Sequence, residues 1–177
     1  MCKKYFLIFI LFSIILPSCF NVKSASTRSA NNLFETFFVG EEGTQYFIKP
    51  LSFVNANKEK LYIDFTFRYK NKVDGFASAK MTIESEKPIK EIKKILISNT
   101  KKNSSLNEIE FMFIKREKNR FHSRFNAITE IKNLEELFSS NSWFLEVELE
   151  EKVVKFQPQK KTKKSISKLD QSIFIVF

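Results

Sequence analysis

Cysteine, glycine and histidine are all scarce in this chain of 177 residues, and each shortage excludes something. The only cysteines are Cys2 and Cys19, so residues 33–177 hold no disulfide and must fold on apolar burial alone. The three glycines, Gly40, Gly43 and Gly75, do not stand at the spacing of a loop that cradles phosphate, which removes that route to nucleotide binding. One histidine, His122, and so few thiols leave too few soft ligands for structural zinc, and no metal is expected. A long apolar run is missing as well. Residues 5–16 of the opening MCKKYFLIFILFSIILPSCF form a run of about 12 residues, where a membrane-crossing helix needs about 20.

That run reads instead as a secretory signal, with Lys3 and Lys4 as the positive n-region, an apolar centre and small residues at the cut. Leu16, Pro17, Ser18 and Cys19 then resemble a lipobox, the Leu-x-small-Cys signature of bacterial lipoproteins, although Pro17 stands where that family usually has a small aliphatic or hydroxyl residue. The resemblance implies cleavage between Ser18 and Cys19, a palmitate-type diacylglyceryl group on the Cys19 thiol, and often a further acyl chain on the new amine. Residues 1–18 are thus expected to leave as a signal peptide. Two or three acyl chains, at roughly 0.8 kcal/mol per buried methylene, hold a bilayer far better than one. The alternatives are a secreted protein with an incidental cysteine, or a buried N-terminal helix. Residues 19–32 contain NVKSASTRSANN, rich in Ser, Asn and Ala and without periodicity, which reads as a tether with a reach on the order of 20 Å.

Removing the first 18 of 177 residues leaves 159, enough for one domain over residues 33–177. With 43% hydrophobic residues the chain is neither disordered nor of low complexity. Phe is abundant at 21, which with many Lys, Ile and Asn matches AT-rich coding. Net charge is +10, or +8 once Lys3 and Lys4 are gone, which favours acidic partners; the alternative is that the charge only keeps the protein soluble.

A period of two marks the strands. In LYIDFTFRYK, Leu61, Ile63, Phe65, Phe67 and Tyr69 fall on one face, and Trp143, Leu145, Val147 and Leu149 do the same in WFLEVELE. Further strands are expected at 46–54, 76–84, 94–98, 109–115, 121–126, 153–156 and 172–177, separated by polar turns such as ANKEK, NKVDG, NTKKNSS and REKN, with a hairpin turn at Glu150 and Glu151. Pro50 demotes the middle of its run to an edge or a bulge. Helical spacing of Ile131, Leu134, Leu137 and Phe138 predicts one short helix near 129–138, with Thr129 as N-cap. About nine short strands and one helix predict a mostly β fold, an antiparallel sandwich that resembles immunoglobulin-like sandwiches in outline. No repeat is evident.

The segment KFQPQKKTKKSISK holds Lys155, Lys160, Lys161, Lys163, Lys164 and Lys168 with no acid among them. Its QKKTKK core is similar to basic clusters that bind heparin-like polysaccharides, so it is expected to be a loop patch for host glycosaminoglycan, another acidic ligand or an anionic membrane. A solvated loop is the plain alternative. Catalysis is not expected, and no cofactor: one histidine has no serine placed beside it, and the pairs Glu41–Glu42, Glu135–Glu136 and Glu150–Glu151 are neighbours in sequence, where a glycosidase needs carboxylates converging across a cleft. Phe is plentiful enough to stack bases, but an exported chain seldom meets its own genome, and nucleic acid is not expected as a partner.

The lipobox, the tether and the composition together resemble small lipoproteins of Borrelia-type spirochaetes. That resemblance implies a lipid-anchored, non-catalytic protein with the outer membrane and cell surface as its expected address, acting as a binding or antigenic module. The runner-up is a periplasm-facing structural subunit that meets envelope proteins through a sheet edge such as SIFIVF. A third reading, a hydrolase, requires His122 to line a pocket.

Overall fold

A computed structural model of the chain describes residues 33–70 and 75–174. The expected signal peptide, the expected lipidation position Cys19, the expected tether, most of the NKVDG turn and the end of SIFIVF lie outside the described residues. Within them are ten strands: β1 (Phe34–Phe38), β2 (Thr44–Val54), β3 (Lys60–Tyr69), β4 (Phe76–Ser85), β5 (Lys94–Ser98), β6 (Asn103–Ser105), β7 (Asn107–Glu117), β8 (Arg120–Glu130), β9 (Phe144–Glu148) and β10 (Val153–Pro158). Two α-helices accompany them, α1 (Ile131–Phe138) and α2 (Lys160–Ser172).

The fold is mostly β, and every strand pairing is antiparallel. One hydrogen-bonded path runs β6-β5-β9-β10-β2-β3-β4-β8-β7, with β1 added on β2. Where two stacked sheets were expected, the path continues through β10, whose Gln157 and Pro158 pair with Val54 and Phe53 of β2. β2 pairs with β1 at Thr44 to Ile48 and with β10 at Phe53 and Val54, and between these stretches its pairing with β3 shifts register, from Ile48 to Leu51. Pro50 lies in that irregularity and lacks an N–H to donate, as its sequence position foretold. At the other extreme the chain passes from β6, paired with β5, through buried Leu106 straight into β7, paired with β8. One bent stretch therefore touches both ends of the path, and the sheet is a nearly closed, barrel-like wrap.

Alternation fills the inside of that wrap. Leu61, Ile63, Phe65 and Phe67 of β3 are buried, as are Ala77, Ala79, Met81 and Ile83 of β4 and Phe125 and Ala127 of β8. The small alanines leave room for aromatic rings. Trp143, 2% exposed, meets Phe138 at 4.7 Å between ring centroids, Phe65 at 6.3 Å and Phe53 at 6.4 Å. Its indole N–H donates to the Leu137 carbonyl at 2.6 Å, so the buried polar handle is satisfied.

The expected helix is present, but it starts two residues later than the expected span, and Thr129 is not its cap. Thr129 is the buried last inward residue of β8, its hydroxyl 3.4 Å from that of Ser104, while Glu130 holds the N-cap position in extended geometry. The larger correction concerns the C-terminal segment. Residues 160–172 form a helix in place of a loop, and Ser172 ends it where a strand was to begin. Thr162, Ile166, Leu169 and Ile173 recur at intervals of three and four, giving one apolar stripe that the surrounding lysines obscure. β1 had no forecast, and β6 falls at the end of NTKKNSS, which was expected to be all turn.

Candidate functional site

α2 is held to the body on one side only. Thr162, Ile166 and Leu169 are buried, Ile173 and Phe174 continue the seam into the core, and the Phe174 ring stacks on Phe138 at 4.7 Å. The Thr162 hydroxyl donates to the Ser52 carbonyl at 2.6 Å, tying the first turn to β2. At about 100° per residue, the burial of this stripe dictates where everything else points. Lys160, Lys161, Lys164 and Lys168 share the opposite side, Lys163 flanks it, and all five are exposed.

Among the described residues none of the five makes an ion pair, although Lys49, Lys60, Lys102, Lys115 and Lys155 all do. No acid occupies the first turn of α2. The four unpaired N–H groups there and the helix dipole already make that end positive, and each cation near it costs roughly 0.3–1 kcal/mol. Four lysines within five residues, 160–164, are thus placed where the helix least tolerates them. Such a local cost fits a surface that presents positive charge, because an anion laid over it meets the ammonium groups and the helix end together. Asp170, near the other end, is the acid of this helix, and partial burial raises its carboxyl above the usual range, a rise that Lys101 opposes.

The structure separates one expected member from the rest. Lys155 belongs to β10, facing away from buried Phe156, with its ammonium 2.7 Å from Glu146. It is a cross-strand partner of that glutamate and no part of the helical stripe. The other five lysines of the expected patch do share one element, which is a helix in place of the expected loop.

His122 lies near the start of β8, the strand next to the end of the path, beside Glu84 of β4 and Lys115 of β7 in register, with its Nε2 3.7 Å from Glu117. The neighbouring Ser123 faces the other way, accepting a hydrogen bond from the Ile89 backbone N–H at 3.0 Å. Histidine and serine are therefore on opposite sides of one strand. Glu117 is itself held below the ordinary carboxylate range, first by its hydrogen bond from Lys115 and then by the charges of Lys115 and His122.

A cleft of about 740 Å³ opens between the end of β4 and the β9–β10 turn. Ile83, Val147 and Phe156 line its apolar part, while Glu59, Glu86, Glu150 and Glu151 alternate with Lys87 and Lys152 among its polar residues. Glu59 is already engaged by the Asn55 side-chain amide at 2.7 Å. Four glutamates against two lysines leave this mouth formally acidic, in contrast to α2. Comparison with family models, with curated proteins and with solved structures finds no significant match to the chain.

Proposed function

We propose that this protein is a lipid-anchored, non-catalytic module of the bacterial envelope, held by an acylated Cys19, that binds a polyanion through α2. The observation that carries the reading is the stripe of Lys160, Lys161, Lys164 and Lys168, with Lys163 beside it, exposed and without acid partners on a helix whose other side is buried. A stripe on a packed helix holds its charges at fixed spacing, so a linear sulfated polysaccharide can engage several at once with little further ordering. The N-terminal order of positive residues, apolar run and lipobox supports the anchor, and an outer-surface position would give a host glycosaminoglycan access to the stripe.

Two experiments test the two halves. Binding of the full chain to immobilised heparin should weaken at least tenfold, in rough terms, between about 50 and about 300 mM salt, because condensed counterions are released on association. Affinity indifferent to salt would remove the polyanion reading. Mass spectrometry of the cell-derived protein should find Cys19 as an acylated first residue; an unmodified thiol there removes the anchor. Protease added to intact cells should cleave a displayed domain and spare a periplasmic one.

A further inference from the structure

We propose that the cleft between β10 and the end of β4 receives an extended peptide segment of another protein, apolar and then basic, as an added strand antiparallel to β10. The cleft is a notch in the wrap. β2 stops at Val54 and β3 starts at Lys60, while β10 reaches out to Val153 and β4 runs on to Ser85. Past the β2–β3 turn the wall lacks its two middle strands, so β10 and β4 stand three strand spacings apart, about 14–15 Å.

One side of the notch is an unused strand edge. The β9–β10 turn closes with the Leu149 N–H donating to the Lys152 carbonyl at 2.8 Å, and the pairing alternates from there. Val154 and Phe156 aim their backbone groups at β9, while Val153 and Lys155 aim theirs away. Gln157, next in that series, stands opposite Val54, where β2 turns off. Among the described residues no strand lies beside Val153 and Lys155 on that side. An incoming strand takes up the line that β2 leaves and meets the N–H and C=O groups of both residues.

Its direction and side chains follow from that line. Continuing β2, the strand runs antiparallel to β10, and its residues opposite Val154 and Phe156 turn inward with them. The floor beneath is apolar, made by Ile83, Val147 and Phe156 in a cleft of about 740 Å³, and suits apolar side chains at alternate positions. At its C-terminal end the strand leaves between Glu86, which follows β4, and Glu150 and Glu151 in the β9–β10 turn. All three glutamates are exposed, and none is in an ion pair among the described residues. With Glu59 they outnumber Lys87 and Lys152 on the same rim, so the exit favours basic residues. The lysines of α2 repel such a segment. This site is therefore independent of the function assigned to α2, and its failure would leave that reading untouched.

The test titrates the full chain in mild detergent into a fluorescein-labelled, end-blocked peptide Val-Thr-Val-Thr-Lys-Lys and follows anisotropy, with micelles alone as the blank. Saturable binding is expected. Methylating the backbone nitrogens of both threonines, which face β10, should weaken it at least about tenfold, whereas methylating those of both valines, which face away, should change it less than about threefold. Replacing the lysine pair by Ser-Ser should weaken binding about fivefold or more, and Glu86→Gln, Glu150→Gln and Glu151→Gln together should erase that difference. Circular dichroism melts check the fold of this variant, whose three positions are exposed. The methylation comparison uses the unaltered chain and decides the matter even if the variant does not fold. No saturable binding below about 1 mM, equal losses from the two methylation patterns, or a lysine preference that survives in the folded triple variant would overturn the proposal.

Discussion

The two helices sit side by side and obey opposite rules. α1 is short, apolar on its inner face and fully served at its end: the Asn99 amide donates to the Glu136 and Leu137 carbonyls at 3.1 and 2.7 Å, and the Trp143 indole donates to Leu137 as well. The Glu135, Glu136 and Leu137 carbonyls, which the helix itself leaves open, each have a donor. α2 is longer and anchored as firmly on its inner side, yet its outer side gathers unpaired cations at the dipole's positive end. The first is a part of the core that happens to be helical. The second is packed on one side, and its lysines face away from the core.

The sharpest way to break that contrast is at its shared foundation. Trp143→Ala removes a ring packed among Phe53, Phe65 and Phe138 together with the donor to α1, and should cost about 3–5 kcal/mol in urea unfolding. On α2 alone, Ile166→Ala should cost about 2–5 kcal/mol, whereas Lys164→Ala, two residues away and exposed, should stay within about 0.5 kcal/mol. Equal effects would mean that α2 is not divided into a mount and a display. Asn99→Ala should lower stability by about 1–3 kcal/mol, since it removes donors from the end of α1 and the acceptor of the Lys101 and Lys102 backbone N–H groups. The same amide chemistry has no counterpart at the start of α2, whose Gln159 makes no side-chain cap.

Reversal of charge should separate stability from binding. Lys160→Glu with Lys161→Glu puts anions at the positive end of α2 and should stabilise the fold by about 0.3–1 kcal/mol per residue while weakening heparin binding. The smallest effect is expected at Asp170. Burial lifts its folded pKa above the unfolded value, so its contribution is fully present below the unfolded value and is lost as pH rises through the folded one. Asp170→Asn should then raise the thermal midpoint at neutral pH, by no more than about 0.5 kcal/mol in stability, and the advantage should vanish in acid. A larger gain in acid would reverse the sign of this account.

Periodicity made the buried half of the molecule readable. β3, β4 and β9 alternate cleanly because one side of each strand meets the core, and Lys94–Ser98 fell where expected to the residue. β1 and β6 escaped because their apolar or polar runs are too short to carry a period. α2 escaped for a different reason. Its stripe of Thr162, Ile166, Leu169 and Ile173 was present in the letters, but lysines outnumber those residues, and average polarity reads as loop when spacing is not counted. The five lysines were legible as a charge cluster from composition alone, while their common side depended on the helix and the separation of Lys155 depended on Glu146 across the strand pair. How the sheet curls on itself could not be read locally, since it turns on two residue pairs between β10 and β2, about a hundred residues apart in sequence.

One pair of readings on one variant bears on the division of α2 most directly. With Lys160, Lys161, Lys164 and Lys168 all changed to Gln, the thermal midpoint should hold or rise while affinity for heparin falls at least about tenfold. A midpoint that drops with affinity unchanged would contradict the account, for it would make the lysines part of the fold and leave the helix with nothing to display.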